Sequence, residues 1–206
     1  MAMRNDKRQQ IMKAAERLFA NRRFHELTLD MVAEAAKVGK GTIYRYFRDK
    51  DDLFYQTATS GFENMCRLLE ADTAKQGDFR SRLLDACIKV TDFFAHHRQL
   101  FRIMQDEEGR IIWSNSKLRE RWMAEREKLV AAVAGILKEG AEGGHIRTDV
   151  PADVLAVYLL GMLRTRSFDL PAVSPDSMRL EILLDVFTTG ASASVFTGDN
   201  DKGMNL

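Results

Sequence analysis

The stretch LDMVAEAAKVGKGTIYRYFRDK, Leu29 to Lys50, decides how the chain folds. Its first half predicts a helix. Thr28 offers a side-chain oxygen to the free amides of a helix start, and Asp30 places negative charge in the first turn. Leu29, Val32, Ala33 and Ala36 then form one apolar stripe at helical spacing. Lys37, Val38 and Gly39 break the run; the glycine is expected to give the backbone freedom for a sharp turn, and Val38 to plug the corner. A second short helix follows at once, with Ile43 and Phe47, four residues apart, on its inward face and Lys40, Thr42, Tyr44 and Arg45 on the others. A short cationic helix displaying a hydroxyl and phenols suits the major groove of duplex DNA. The bland alternative is a helical hairpin whose polar side meets only water. Gly41 argues against it, since glycine inside a helix costs about 1 kcal/mol against alanine and is understandable where something approaches the backbone. Tyr44 and Tyr46 argue the same way, because a merely solvated charged surface has no use for phenols.

Upstream, a helix is predicted over about Lys7 to Asn21, with Ile11, Ala14, Ala15, Leu18 and Phe19 facing inward, and Phe24 and Leu27 filling the corner before Thr28. The basic arm Met1 to Arg8 reads equally as a frayed end or as a minor-groove or phosphate contact. Downstream, Asp49, Asp51 and Asp52 favour a helix start near Lys50, running through Leu53, Phe54, Phe62 and Leu69 to about Lys75.

From Arg8 to Phe54 the sequence resembles the DNA-binding domain of the TetR family of bacterial transcriptional regulators. The residues that carry this are Thr28-Leu29, Val32-Ala33, Ala36, the run Val38 to Phe47, and Lys50 to Leu53. The resemblance implies an all-α homodimer of about nine helices. Residues 1–50 would be a three-helix DNA-binding domain with a helix-turn-helix, and residues 51–206 a helical domain for effector binding and dimerisation. It further implies a regulator, in most cases a repressor, released from a palindromic double-stranded operator by a small molecule. The DNA-contacting places fall on Lys40, Gly41, Thr42, Tyr44, Arg45 and Tyr46, with Thr28 and Lys50 at flanking phosphates. Because arginine and lysine donate readily to guanine, Arg45 and Lys40 are the candidates for base discrimination. One departure is Gly39, where many members carry serine or another polar residue; a side-chain cap to the second helix is lost with it.

Composition agrees without deciding. The 206 residues are 45% hydrophobic with only 3 prolines, enough for one sizeable core or two small ones. The net charge is +1 overall, but residues 1 to 55 hold 12 Lys and Arg against 8 Asp and Glu, so the positive end is the end with the motif. Cys66 and Cys87 are too few and too far apart for a disulfide scaffold or thiolate metal site. They read as inert core thiols, with a redox switch left open if their helices face one another. No apolar run approaches twenty residues and no signal peptide is evident, so a cytoplasmic chain without membrane contact is expected.

Further helices are predicted over Phe79 to His96, Arg98 to Glu107 and Asn115 to Glu142, the last stopped by Gly140, Gly143 and Gly144. Together with the preceding helix they carry Phe62, Met65, Phe94, Phe101, Met104, Trp113 and Trp122. With Tyr158 and Met162 these are the candidate lining of a cavity for an apolar or aromatic effector, although each alone reads as core. Arg164, Arg166 or the acids Asp106 to Glu108 are candidates for a polar end of that ligand or for plain solvation. The last two helices, one from Pro151 and one over Asp176 to Val195, are apolar nearly all round. Either they meet their copies in a four-helix bundle through Leu155, Leu159, Leu180, Leu183, Leu184, Phe187 and Ala191, or they are buried within the chain.

No cofactor or metal is expected. His25, His96, His97 and His145 do not form a ligand pair at helical spacing, and no phosphate loop or serine elbow occurs. Two other classes compete with the regulator. An enzyme would need a polar constellation in residues 51–206 that the sequence does not display, and a helical adaptor would leave the basic Lys40 to Lys50 surface without a task.

Overall fold

The computed structural model describes residues 2–73, 78–105, 116–168 and 179–191, and among these the chain is entirely helical. Ten α-helices occur there: α1 (Ala2–Asn21), α2 (Leu29–Ala35), α3 (Lys40–Tyr44), α4 (Lys50–Ala58), α5 (Phe62–Thr73), α6 (Phe79–His96), α7 (Arg98–Gln105), α8 (Ser116–Glu142), α9 (Ala152–Phe168) and α10 (Leu180–Gly190), with a 3-10 turn at Phe24–Glu26. The count exceeds nine because the helix expected from Lys50 to Lys75 is broken. After α4, Thr59 closes the turn, Gly61 adopts a left-handed φ of 83°, and α5 starts at Phe62. The far end of that predicted helix, at Ala74 and Lys75, lies outside the described residues.

The chain forms two compact units. The first comprises residues 1–66 and 91–128, and the second residues 67–90 and 129–206. A cut at residue 50 does not coincide with this packing, because α4 belongs to the core of the first unit. Ile11, Ala15, Phe19, Phe24, Leu27, Val32, Ile43, Phe47, Leu53 and Phe54 are all buried in one cluster. The Phe19, Phe24 and Phe54 rings pack there with centroids 5.1 to 5.7 Å apart. Leu100 and Ile103 of α7, and Leu118 and Trp122 of α8, join the same core.

The second unit is built on the end of α5, the first part of α6, the second part of α8, and α9 and α10. Gly140 does not end α8, as the sequence suggested, but lies inside it beneath Phe79. A Cβ there would sit 2.3 Å from the Phe79 ring, so any other residue requires that ring to move, and the ring also stacks on His145 at 5.4 Å. The helix stops after Glu142, with Gly144 at φ 74°. An Arg82–Glu139 ion pair at 2.6 Å ties α6 to α8. Cys66 is buried in the first unit and Cys87 in the second, where burial pushes the Cys87 thiol up to about 12; it is a protonated core thiol at neutral pH. The predicted start of the last helix, at Asp176, lies outside the described residues. Within them α10 begins only at Leu180, after an extended Arg179. Among the described residues no helix is long and apolar enough to cross a membrane, and no group of three or more His, Cys, Asp or Glu could hold a metal ion.

Candidate nucleic-acid interface

The site begins with how α2 stops and α3 starts. Thr28 is extended, and its hydroxyl accepts a 3.3 Å bond from the Met31 N–H, as an N-cap should. At the other end the turn differs from the expectation. Gly39 is extended at φ −67°, and the left-handed residue is Lys37 at φ 52°. The Val38 N–H reaches back to the Ala33 carbonyl and the Lys37 N–H to that of Glu34, both at 3.0 Å, which closes α2 in a Schellman-type end. Those two bonds offset the roughly 1–2 kcal/mol that a left-handed conformation costs a residue with a Cβ. Gly39 precedes α3 without any side-chain cap, as its identity implied.

Ile43 of α3 and Phe47, three residues past the end of that helix, are buried, which anchors the segment by one face and turns Lys40, Gly41, Tyr44 and the C-cap Arg45 outward. Tyr44 is 53% exposed, a large value for a ring. Thr42 and Tyr46 are half-buried, Tyr46 packing against the Phe47 ring at 6.3 Å. A Cβ on Gly41 would meet no protein atom within 4 Å, so the packing of the chain does not require glycine there. Thr28, Asp30, Tyr44, Arg48, Asp49 and Lys50 line a cleft of about 280 Å³ on this face.

Two of the expected DNA contacts are already engaged within the chain. The Lys50 ammonium donates to the Phe24 carbonyl at 2.7 Å and lies 4.5 Å from the centre of that residue's ring, so it braces the 3-10 turn. Lys40 donates to Asp30 at 2.7 Å, and that contact raises its pKa.

The sequence reading missed what holds the α4 start. Asp49 caps α4 by accepting the Asp52 N–H at 2.7 Å, and Asp52 reaches back to accept the Arg48 N–H at 3.1 Å. The Asp-x-x-Asp spacing could have disclosed this pair. The rest is tertiary. Asp52 also accepts from Gln56 at 2.8 Å and from Arg121 of α8 at 3.0 Å, and Arg8 of α1 donates to Gln56 at 2.6 Å. Arg121 lies 3.8 Å over the Tyr55 ring, whose hydroxyl donates to Glu125 at 3.2 Å. Burial opposes ionisation of Asp52, but the Arg48 N–H, Arg121 and Gln56 outweigh it and hold the carboxyl below the ordinary carboxylate range.

This geometry is an exposed helix with a cationic, phenolic face, set on a three-helix core by a tight turn. The profile described as "Bacterial regulatory proteins, tetR family" matches residues 11–57, which span that core and the helix-turn-helix. A transcriptional repressor of Corynebacterium diphtheriae, AcnR, is 29% identical over 189 residues, covering 91% of this chain and 93% of the relative. The chain carries a TetR-type DNA-binding domain over residues 11–57. It is a DNA-binding transcriptional regulator. Two solved structures share the fold of these TetR-type proteins. The fatty acid degradation regulator FadR of Bacillus halodurans has TM-score 0.75 and 21% identity, covering 89% of this chain and 95% of that one. FadR of Bacillus subtilis, in complex with stearoyl-CoA, has TM-score 0.69 and 21% identity, covering 90% and 98%.

The remaining site residues of the chain divide sharply. Phe62, Met65, Phe94 and Trp122 are buried in the first unit and Phe101 is half-buried there. With Phe93 they make a ring cluster: Phe62–Phe93 at 5.4 Å, Phe94–Phe101 at 5.4 Å, Phe101–Trp122 at 6.0 Å. His97 sits at its edge, 4.4 Å from the Phe93 ring, its Nδ1 facing the Phe93 carbonyl at 3.0 Å; burial lowers its pKa, so it is neutral at pH 7. The Met104 side chain and Trp113 lie outside the described residues. Tyr158 and Met162 belong to the second unit, and Tyr158 is 61% exposed, which removes it from any enclosed lining in a single chain.

The expected dimer residues pack largely within one chain. Leu155, Leu159, Leu180, Leu184, Phe187 and Ala191 are buried within one chain, and Leu183 is half-buried. A helix apolar all round does not reveal which side faces its own chain. Here α9 and α10 turn that set inward and expose Tyr158, Ile182 and Val186 instead.

Proposed function

We propose that two copies of the chain bind a palindromic operator as a repressor, with Lys40, Thr42, Tyr44 and Arg45 nearest the bases and Thr28, Tyr46 and Lys50 toward phosphates. In functional terms residues 1–50 are the DNA-binding domain, and residues 51–206 bind an effector and pair the copies. The observation that carries this reading is the outward face of α3, where Lys40, Tyr44 and Arg45 are exposed over an anchored Ile43 and Phe47. Arg45→Ala tests it, because the side chain is exposed and its removal leaves the anchored face untouched. The substitution is expected to cost about 1–3 kcal/mol on the cognate operator with little change on random duplex. Equal losses on both duplexes, in titrations at fixed salt, would show that Arg45 does not read bases. Lys50 is the poorer probe, since its removal also takes a donor from the 3-10 turn.

The effector in this reading is an apolar or aromatic small molecule that inserts among Phe62, Met65, Phe94, Phe101 and Trp122. Rings meeting at 5.4 to 6.0 Å form a buried apolar cluster, and Met65 adapts to an irregular guest. The stearoyl-CoA complex of the Bacillus subtilis protein makes a long-chain acyl thioester the first candidate. Ligand would shift Phe62 at the start of α5, tilt α4 through Phe54 and change the spacing of two recognition helices. Coupling of about 1–3 kcal/mol weakens operator binding roughly 5- to 150-fold. Titration of the thioester, followed by Trp122 fluorescence and then by operator binding, checks both halves. Stoichiometric binding without operator release would refute the switch, and absence of binding would refute this effector class.

A further inference from the structure

In the cleft beside α3, Asp30 is an exposed carboxylate whose charge opposes the proposed task. It lines the same cleft as Thr28, Tyr44, Arg48 and Lys50, and its carboxylate accepts from the Lys40 ammonium at 2.7 Å. The two groups stand in the first turns of α2 and α3, and their side chains remain 58% and 61% accessible. Stability does not explain the pair. Ion pairs this exposed contribute little or nothing measurable, because water screens them and two long side chains lose freedom. Negative charge near the start of α2 is favourable, yet Thr28 already caps that helix, and a carboxylate facing a phosphate backbone is unfavourable for binding.

We propose that Asp30 is a specificity-determining residue: it holds the Lys40 ammonium so that arbitrary phosphates gain little from it, and releases or shares it only where the groove offers a matching acceptor. This rests on the reading of α3 as the base-reading helix. A free lysine on this surface would neutralise a phosphate on any duplex and release counterions whatever the sequence. Held by Asp30, the same lysine is part of a neutral pair and adds little to non-specific attraction. Because the pair is weak, a guanine edge presenting two acceptors competes for the ammonium, and discrimination increases by the difference. The geometry also fixes direction. Tyr44 lies one turn along α3 from Lys40, so the pair sits beside the exposed phenol at the start of the reading face.

The test uses the full chain, a duplex enriched from a random library by the wild-type protein, and an unselected duplex of equal length. Asp30→Asn keeps the shape and removes the charge. It is expected to bind the unselected duplex roughly three- to tenfold more tightly, with a salt slope steeper by about one, while affinity for the enriched duplex rises less. The gain should disappear in Asp30→Asn/Lys40→Met. Thermal unfolding of each variant verifies that a folded chain is compared. Equal gains on both duplexes, no gain on either, or a gain that survives removal of Lys40 would each overturn the assignment, the last because it would reduce Asp30 to simple repulsion. If the wild-type chain enriches no duplex at all, the base-reading function itself fails, a result distinct from an unaltered Asp30→Asn.

Discussion

Val186→Asp is expected to leave the chain folded but monomeric at micromolar concentration, and to weaken operator binding on the order of 100-fold or more, because a single half-site retains only part of the affinity. Val186 is 61% exposed on α10, Ile182 one turn earlier is 44% exposed, and Tyr158 of α9 is 61% exposed. A carboxylate at Val186 therefore disturbs nothing inside its own chain. Enclosed against a second copy, the same group would lose its water without gaining a partner. Phe187→Asp is the instructive contrast. Phe187 is 6% exposed, so its charged variant places the carboxylate in the core of the second unit and should unfold it, visible as lost helical circular dichroism. Sedimentation equilibrium and operator titration of both variants separate the two faces of one helix. Should Val186→Asp sediment as the wild type does and bind the operator equally well, the copies meet elsewhere.

The second large effect is expected at Asp52. Asp52→Ala deletes the acceptor of the Arg48 N–H, Gln56 and Arg121 together, and leaves a part-buried backbone donor unmatched at the start of α4. A loss of about 2 kcal/mol follows, which for a chain of this size lowers Tm by roughly 4–8 °C. Arg121 is 40% accessible, so water screens part of its contribution and the loss is smaller than for a fully buried pair. The pH dependence has a definite sign. The Asp52 carboxyl is held below its ordinary value when folded, so its stabilisation is fully present above the unfolded pKa of about 4 and is lost as pH falls through the lower folded value. Asp52→Asn should therefore lose stability at pH 7 and show a flatter decline than the wild type below about pH 4. Parallel acid-unfolding curves for the two proteins would mean that the ionised carboxylate is not what Arg48, Gln56 and Arg121 hold.

How far the sequence disclosed this structure depends on the distance over which each feature is encoded. The helix-turn-helix is local. Thr28, Val32, Ile43 and Phe47 state the cap, the stripe and the anchor within twenty residues, and the structure uses each as read. The conformation of the turn was hidden, because a lysine in the left-handed region carries no mark, whereas Gly39, two residues on, drew attention and is ordinary extended backbone. Asp52 and Arg121 are 69 residues apart, and a charged residue in one helix does not announce its partner in another. Lys40 and Lys50 were read as free for DNA since an intramolecular acceptor, a carboxylate in one case and a carbonyl in the other, is invisible until the chain is folded. In α9 and α10 the difficulty was excess rather than absence of signal: with apolar residues on every side, periodicity cannot choose the face.

Gly41 carries a consequence for how such a reader changes over generations. A side chain added there would point into open space, unopposed by any atom of the protein. Most positions on a folded helix are constrained twice, once by the core beneath and once by the target. In the proposed function this one answers to the target alone, so a lineage could exchange one preferred operator for another through residue 41 without first repairing its fold.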